Sequence, residues 1–233
     1  MNPEPYNLID TDMDNKKLKK VWPILIKQVE SLEMPWLDQL VKKKPIKREP
    51  FKVLISCLLS LRTQDKTTGA ASERLFKLAS DPEEMSKLSI KRIEKEIYPV
   101  GFYKVKAERI RDICKVLLSR YSSIVPDDME ELLKLKGVGR KTANLVLTLG
   151  YKKPGICVDT HVHRITNRWG YVKTKTPEKT EYALRDSLPS KYWLEINGLL
   201  VAFGQGVCRP VSPFCSKCDL MVFCERVGVG IYR

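Results

Sequence analysis

The sequence predicts an all-α protein. Three observations carry this: apolar residues recur at helical spacing almost throughout the 233 residues, strand-like alternation is nearly absent, and Asp and Pro stand repeatedly where helices begin. Glu49-Pro50 opens a run through Phe51, Leu54, Ile55, Leu58 and Leu59, with the proline suited to a first helical turn. Asp65 is the expected cap of the next segment, whose apolar face is Ala70, Ala71, Leu75, Phe76 and Leu78. Asp81-Pro82-Glu83-Glu84 marks another start, its acids facing the positive end of the helix dipole. Lys104 to Tyr121 carries Val105, Ile110, Ile113, Val116 and Leu117 on an amphipathic helix. Asp127 with Glu130 reads as a capping box ahead of Leu132, Leu133 and Leu135. Later helices are expected from Asp159, Pro177 and Pro189. About the first 15 residues, with two prolines, read as a flexible arm, and helical periodicity gives way to Gly, Pro and Cys after Ala202.

Charge narrows the partners. Lys and Arg number 42 against 28 Asp and Glu, a formal balance of +14, which points to a polyanion: nucleic acid first, a membrane surface second. With 43% apolar and 30% charged residues the chain is globular rather than disordered. No apolar run approaches the ~18–20 residues that span a bilayer. Met1-Asn2-Pro3-Glu4-Pro5 has neither the charged nor the apolar region of a secretory signal, so a soluble, cytoplasmic protein is expected. The run Lys42-Lys43-Lys44, with Lys47 and Arg48, reads as a solvated surface loop, a binding patch being the alternative.

Of seven cysteines, Cys57, Cys114 and Cys157 lie scattered in apolar company. Cys208, Cys215, Cys218 and Cys224 crowd the tail with the spacing C-x6-C-x2-C-x5-C. A disulfide framework suits a small secreted chain, so a local metal site is the better reading. Prolines 210 and 213 break any continuous helix there, leaving a loop that can wrap one centre. Zinc modules more often pair two C-x2-C knuckles, and bacterial ferredoxins use tighter spacing. A 4Fe–4S cluster is the better physical fit, and structural zinc stays open.

Leu135-Lys136-Gly137-Val138-Gly139-Arg140-Lys141 sits between two helical patterns. Gly137 and Gly139 allow a sharp turn with exposed N–H groups, and the next helix begins at once, which makes an anion site. A plain helix–turn–helix corner would also explain the glycines, but not Arg140 and Lys141 at the helix mouth. A lysine in a first helical turn is disfavoured as a cation, and the neutral amine is the nucleophilic form. Lys141 is therefore either a phosphate contact or a nucleophile. Asp159, in Val158-Asp159-Thr160-His161, is either a helix cap or a carboxylate facing a developing sugar cation. His161 and His163, two apart, fall on different helix faces and read as structural.

Leu135 to Asn144, then Val158-Asp159-Thr160-His161, then the four-cysteine tail together resemble the endonuclease III family, the iron–sulfur branch of the helix-hairpin-helix DNA glycosylases. Leu58-Leu59-Ser60 with Thr63-Gln64-Asp65, and Gly101-Phe102-Tyr103 with Lys106-Ala107, resemble two further family segments. The resemblance runs from about residue 30 to 228. It implies two helical domains flanking a DNA-binding cleft: residues 1–42 and 154–233 in a 4Fe–4S domain, and 43–153 in a six-helix domain. It further implies a monomer that acts on double-stranded DNA containing damaged pyrimidines or abasic sites. In that scheme Lys141 attacks C1′ of a flipped nucleotide, Asp159 assists, and β-elimination breaks the strand. Arg62, Gln64, Phe102, Gly137, Gly139, Arg140 and Arg209 are the implied DNA contacts, with Lys217 nearby; Cys208, Cys215, Cys218 and Cys224 hold the cluster.

Three positions depart from the family pattern. Arg62 stands where Gln usually reaches into the gap opposite the flipped base. Phe102 replaces a Leu wedge, and Lys136 replaces Pro before the first glycine. The first two bear on substrate range. Two rival functions keep the same residues: a mismatch or adenine glycosylase, disfavoured by Lys141, and a non-catalytic DNA-binding or electron-transfer module.

Overall fold

The computed structural model describes residues 13–43 and 49–233. Every regular element among them is helical. Lys44, Lys47 and Arg48 of the basic run, and the arm before residue 13, lie outside the described residues. The arm's expected end is already structured: Met13 is buried and Asp14 caps α1 (Asn15–Glu30), accepting from the N–H of Lys17.

The described residues form two compact units, 13–34 with Val158–Arg233, and Pro35–Cys157 without 44–48. Sequence reasoning divides the chain at 42/43 and 153/154 instead. Trp36 and Leu37 belong to the core of the second unit, and Trp36 donates its backbone N–H to Asp65. At the far end, Cys157 is buried in that same core.

The second unit holds α2 (Trp36–Lys43), α3 (Pro50–Ser60), α4 (Asp65–Leu78), α5 (Pro82–Lys87), α6 (Ile90–Ile97), α7 (Tyr103–Arg120), α8 (Met129–Lys134) and α9 (Arg140–Leu145). α3 is its centre, apolar on all sides and buried from Val53 to Leu59. α9 runs without a break into a π-helical turn, Val146–Gly150. Several expected starts hold: Pro50 opens α3, Asp81 caps α5, and α7 begins one residue before Lys104. Two caps move. Asp65 bonds Trp36 instead of capping, and the N-cap of α4 is Gln64. Asp127 pairs with Lys153 at 2.7 Å, so Asp128 caps α8, accepting from Glu130 and Glu131.

The first unit holds α1, α10 (Thr160–Arg168), α11 (Pro177–Ser187), α12 (Ile196–Gly206) and a tail with two short 3-10 turns, Cys215–Lys217 and Met221–Phe223. Pro177 opens α11 as expected; Pro189 yields only a 3-10 turn, Ser190–Tyr192. The two chain segments are tied by Trp22 against Tyr192, ring centroids 4.3 Å apart, and by Gln28 Nε2 donating to the Lys217 carbonyl.

Candidate functional site

The hairpin between α8 and α9 turns at Gly137, whose φ of +89° suits glycine alone among ordinary residues. A Cβ there would also stand 2.3 Å from the Arg109 side chain, which would have to move aside, so the positive φ is what requires glycine. Gly139 is different. It caps α9 with φ −99°, and a Cβ on it would meet nothing within 4 Å. Val138 between them is buried and anchors the turn. Lys141 follows in the first turn of α9 and is exposed, while Arg140 is half-buried. Beneath it the Cys157 thiol points at the Lys141 carbonyl, 3.7 Å away. Burial pushes the Cys57 thiol up to about 12, opposed in part by the charge of Lys141.

Two loops of the same unit carry Arg62 and Phe102. Both residues have left-handed backbones, φ 53° and 58°, unusual for large side chains. Both are exposed, and the Arg62 guanidinium lies 5.7 Å from the centre of the Phe102 ring. The loops touch at Gly101, where a Cβ would stand 2.6 Å from the Arg62 carbonyl oxygen. Gln64 is exposed next to them at the start of α4. Phe102, Leu58, Leu61, Val105, Arg109 and Gly137 line one pocket of about 160 Å³, with Lys106 in its wall. Arg62, Phe102, Gly137 and Lys106 thus gather around one region of this unit.

Lys106 escaped sequence reasoning as a site residue. Its Nζ donates to the carbonyls of Leu59 (2.8 Å) and Leu61 (2.6 Å) and to Thr63 Oγ1 (3.2 Å). Burial pushes its pKa down to about 8. The signal was present: residues 106, 110, 113 and 117 form one buried stripe of α7, and a lysine opens it.

In the other unit, Asp159 caps α10, its Oδ1 accepting from the N–H groups of His161 (2.8 Å) and Val162 (3.0 Å). His161 Nδ1 is 3.2 Å from Arg164 Nη2, and that guanidinium donates to the carbonyl of Cys208. His163 Nδ1 is 2.6 Å from Thr180 Oγ1, and burial pushes its pKa down.

Cys208, Cys215, Cys218 and Cys224 all line one pocket, together with Arg168 and Arg226. Arg168 Nη1 donates to Cys208 Sγ at 3.4 Å, and the Arg226 N–H to Cys224 Sγ at 3.4 Å. Arg168 also donates to the carbonyls of Arg209 and Pro210, both at 2.7 Å, clamping the loop after the first cysteine. Burial raises the pKa of Cys215, and takes Cys218 to about 12 and Cys224 to about 11. Burial at these three thiols disfavours the thiolate, and a bound cation would act in the opposite sense. Among the described residues no group of three or more His, Cys, Asp or Glu side chains is drawn up as a metal site. The donor set itself, four soft sulfurs with N–H donors aimed at two of them, suits a sulfur-ligated metal centre. Arg209 is exposed on this loop, its guanidinium 4.9 Å from the Phe214 ring centre, with Arg233 at 4.3 Å from the same ring.

No described helix is long and apolar enough to cross a membrane. The HhH-GPD superfamily base excision DNA repair protein model matches residues 55–190. Endonuclease III of Thermotoga maritima is 50% identical over 188 residues, covering 79% of this chain and 88% of that protein. A solved non-covalent endonuclease III–DNA complex is similar with a TM-score of 0.79 and 29% identity, over 92% of this chain and 96% of that one. A trapped endonuclease III–DNA covalent intermediate, an estranged-adenine complex, gives 0.72 and 33% identity over 82% and 92%. The hairpin, the lysine that follows it and the four-cysteine tail therefore stand in a chain that belongs to the endonuclease III family of helix-hairpin-helix base-excision DNA repair glycosylase/lyases.

Proposed function

We propose that this chain, acting as a monomer, excises oxidised pyrimidines from double-stranded DNA and then cuts the strand at the resulting abasic site. The observation that carries the reading is Lys141, an exposed lysine in the first turn of α9 directly after the Gly137–Gly139 turn. C1′ is unreachable in a stacked duplex, so the damaged nucleotide is extruded first. The Lys141 amine then forms a bond from Nζ to C1′ as the glycosidic bond breaks, and the base leaves with that electron pair and a proton. Asp159, oriented by its two backbone N–H bonds, stabilises the cationic sugar. The sugar opens to a Schiff base, the 2′ proton is lost, and the electrons expel the 3′ phosphate.

Binding rests on the same surfaces. Arg62, Gln64 and Phe102 enter the gap left opposite the extruded base; Gly137, Gly139 and Arg140 hold a phosphate at the hairpin; Arg209 contacts a second stretch of backbone. Among the described residues nothing stands within 4 Å of a Cβ placed on Gly139, which supports close approach of a ligand there. Cys208, Cys215, Cys218 and Cys224 hold a 4Fe–4S cluster. When bound, that group cross-links the tail and offers one-electron redox chemistry. The protein works in the cytoplasm on nucleoid DNA, or in the nucleus of a eukaryote.

Borohydride trapping on duplexes carrying thymine glycol or an abasic site tests the mechanism. The wild-type protein is expected to form a covalent adduct, and Lys141→Gln is expected to lose it while retaining its fold by circular dichroism. Undiminished trapping by Lys141→Gln would reject Lys141 as the nucleophile.

A further inference from the structure

Among the seven positive-φ non-glycine residues described, Arg62 and Phe102 are the two on neighbouring loops, and they need something to hold them. A large side chain in this backbone region is strained, and it persists only where its surroundings over-determine it. Arg62 and Phe102 both sit there, on separate loops, each exposed and so without a packed core of its own. The hydrogen bonds around Thr63 supply the constraint. Its hydroxyl accepts from Lys106 Nζ (3.2 Å) and from the Gly101 N–H (3.1 Å), and donates to the Leu61 carbonyl (3.3 Å). A hydroxyl has one donor and two acceptor sites, so its capacity is used in full. Lys106 spends its remaining two protons on the carbonyls of Leu59 and Leu61. An ammonium has three donors, and all three are engaged. The network closes only with a charged lysine at this place. Helix α7 then grips both loops at once: by its own backbone, since the Lys106 N–H donates to the Phe102 carbonyl, and by the Lys106 side chain, which reaches the residues on either side of Arg62.

We propose that Lys106 is a positioning residue, whose ammonium ties the loop around Arg62 to the loop around Phe102 and so presents both side chains, already in their left-handed conformations, to the gap opposite an extruded nucleotide. The inference rests on the reading of Arg62 and Phe102 as gap-filling residues. Its consequence is pre-organisation: the loops do not pay their ordering cost when damaged DNA arrives. Lys106 touches no DNA in this scheme. Its effect is confined to the preference for a lesion over intact duplex, because intact duplex offers no gap to fill.

Equilibrium binding of the holoprotein to a duplex with a tetrahydrofuran abasic analogue, and to the matching undamaged duplex, measures that preference. Lys106→Met keeps an unbranched side chain, one atom shorter, and removes every side-chain donor while leaving the backbone N–H to Phe102 in place. It is expected to lower the lesion preference about tenfold, the scale of one lost charge-assisted hydrogen bond, with affinity for undamaged duplex nearly unchanged. Thr63→Val breaks the same network from the other side and leaves the ammonium in place. It is expected to reproduce the loss, and the double variant to lose no more than either alone, since both act through one unit. Lys106→Arg, which retains charge and several donors, is expected to recover part of the preference. If Lys106→Met does not fold, Thr63→Val and its amide exchange at Gly101 carry the comparison. Equal loss of lesion and undamaged binding, or additive effects in the double variant, overturns the proposal. Arg62→Ala and Phe102→Ala separate the two readings. Loss of preference in these with none in Lys106→Met or Thr63→Val overturns the proposal alone. Full preference in both alanine variants overturns the gap-filling reading and the proposal with it.

Discussion

Asp159 Oδ1 accepts from two backbone N–H groups, so a substitution there changes a helix cap as well as any chemistry. The two contributions separate because asparagine caps as well as aspartate, whereas alanine does not. Asp159→Asn is expected to keep the melting temperature within a degree or two and to lower single-turnover glycosylase rates at least about a hundredfold, the scale of a removed electrostatic stabiliser. Asp159→Ala is expected to lose about 1 kcal/mol besides, a fall of about 2–4 °C for a chain of this size. Wild-type rates in Asp159→Asn would leave the residue a cap only. The same duality limited what could be read at this position before the fold was known: a capping Asp and a catalytic Asp look alike in a string. Lys106 failed to stand out for a different reason. Its role comes from acceptors 43 to 47 residues away in sequence, and only the interruption of an apolar stripe announced it.

The elements were legible where a single residue type has a single local use. Proline at a first turn gave α3, α5 and α11, and the glycine pair marked the hairpin. Legibility failed where a carboxylate had a distant competitor, as Asp65 has in the Trp36 N–H and Asp127 in Lys153. The π-helical turn Val146–Gly150 has no periodic signature of its own, because its five residues continue the apolar face of α9. Within the hairpin the two glycines have opposite justifications, and this makes an element-scale prediction. Gly137→Ala places a Cβ at positive φ and against Arg109, so it is expected to cost more than about 1 kcal/mol of stability. Gly139→Ala meets open space at an ordinary φ, so its cost is expected to be about 1 kcal/mol or less. If a phosphate rests on that backbone, Gly139→Ala will nevertheless weaken duplex binding, by roughly tenfold for one lost charge-assisted bond. Thermal melts and duplex titrations at one fixed salt concentration give both numbers. Unaltered affinity in Gly139→Ala would remove the hairpin from the phosphate site.

Over the whole molecule, the +14 balance foretold a polyanionic partner, and the family assignment makes that partner DNA. What the charge does not reveal is how the chain is divided. The unit that holds the four cysteines is assembled from both ends of the described chain, α1 at one end and residues 158–233 at the other. Its tail is poor in regular structure, two short 3-10 turns among loops, and is tied to α1 through Gln28, which donates to the Lys217 carbonyl and accepts from the Asp219 N–H. In residues 208–233 only Pro213 and Leu220 are buried, so under the proposed cluster assignment the order of this segment is expected to depend on that group. The unit Pro35–Cys157 has its own continuous core and contains none of the four tail cysteines, so no such dependence is expected of it. On the proposed 4Fe–4S assignment, purified protein is expected to contain four iron and four acid-labile sulfide per chain, and oxidative removal of the iron is expected to act unevenly. Amide exchange should accelerate across residues 208–228 and spread to α1 through Gln28, while α3 and α7 keep their protection. Stoichiometric zinc without sulfide would replace the cluster by a zinc site. Loss of protection in α3 and α7 at the same rate as in the tail would show that the two units do not unfold independently.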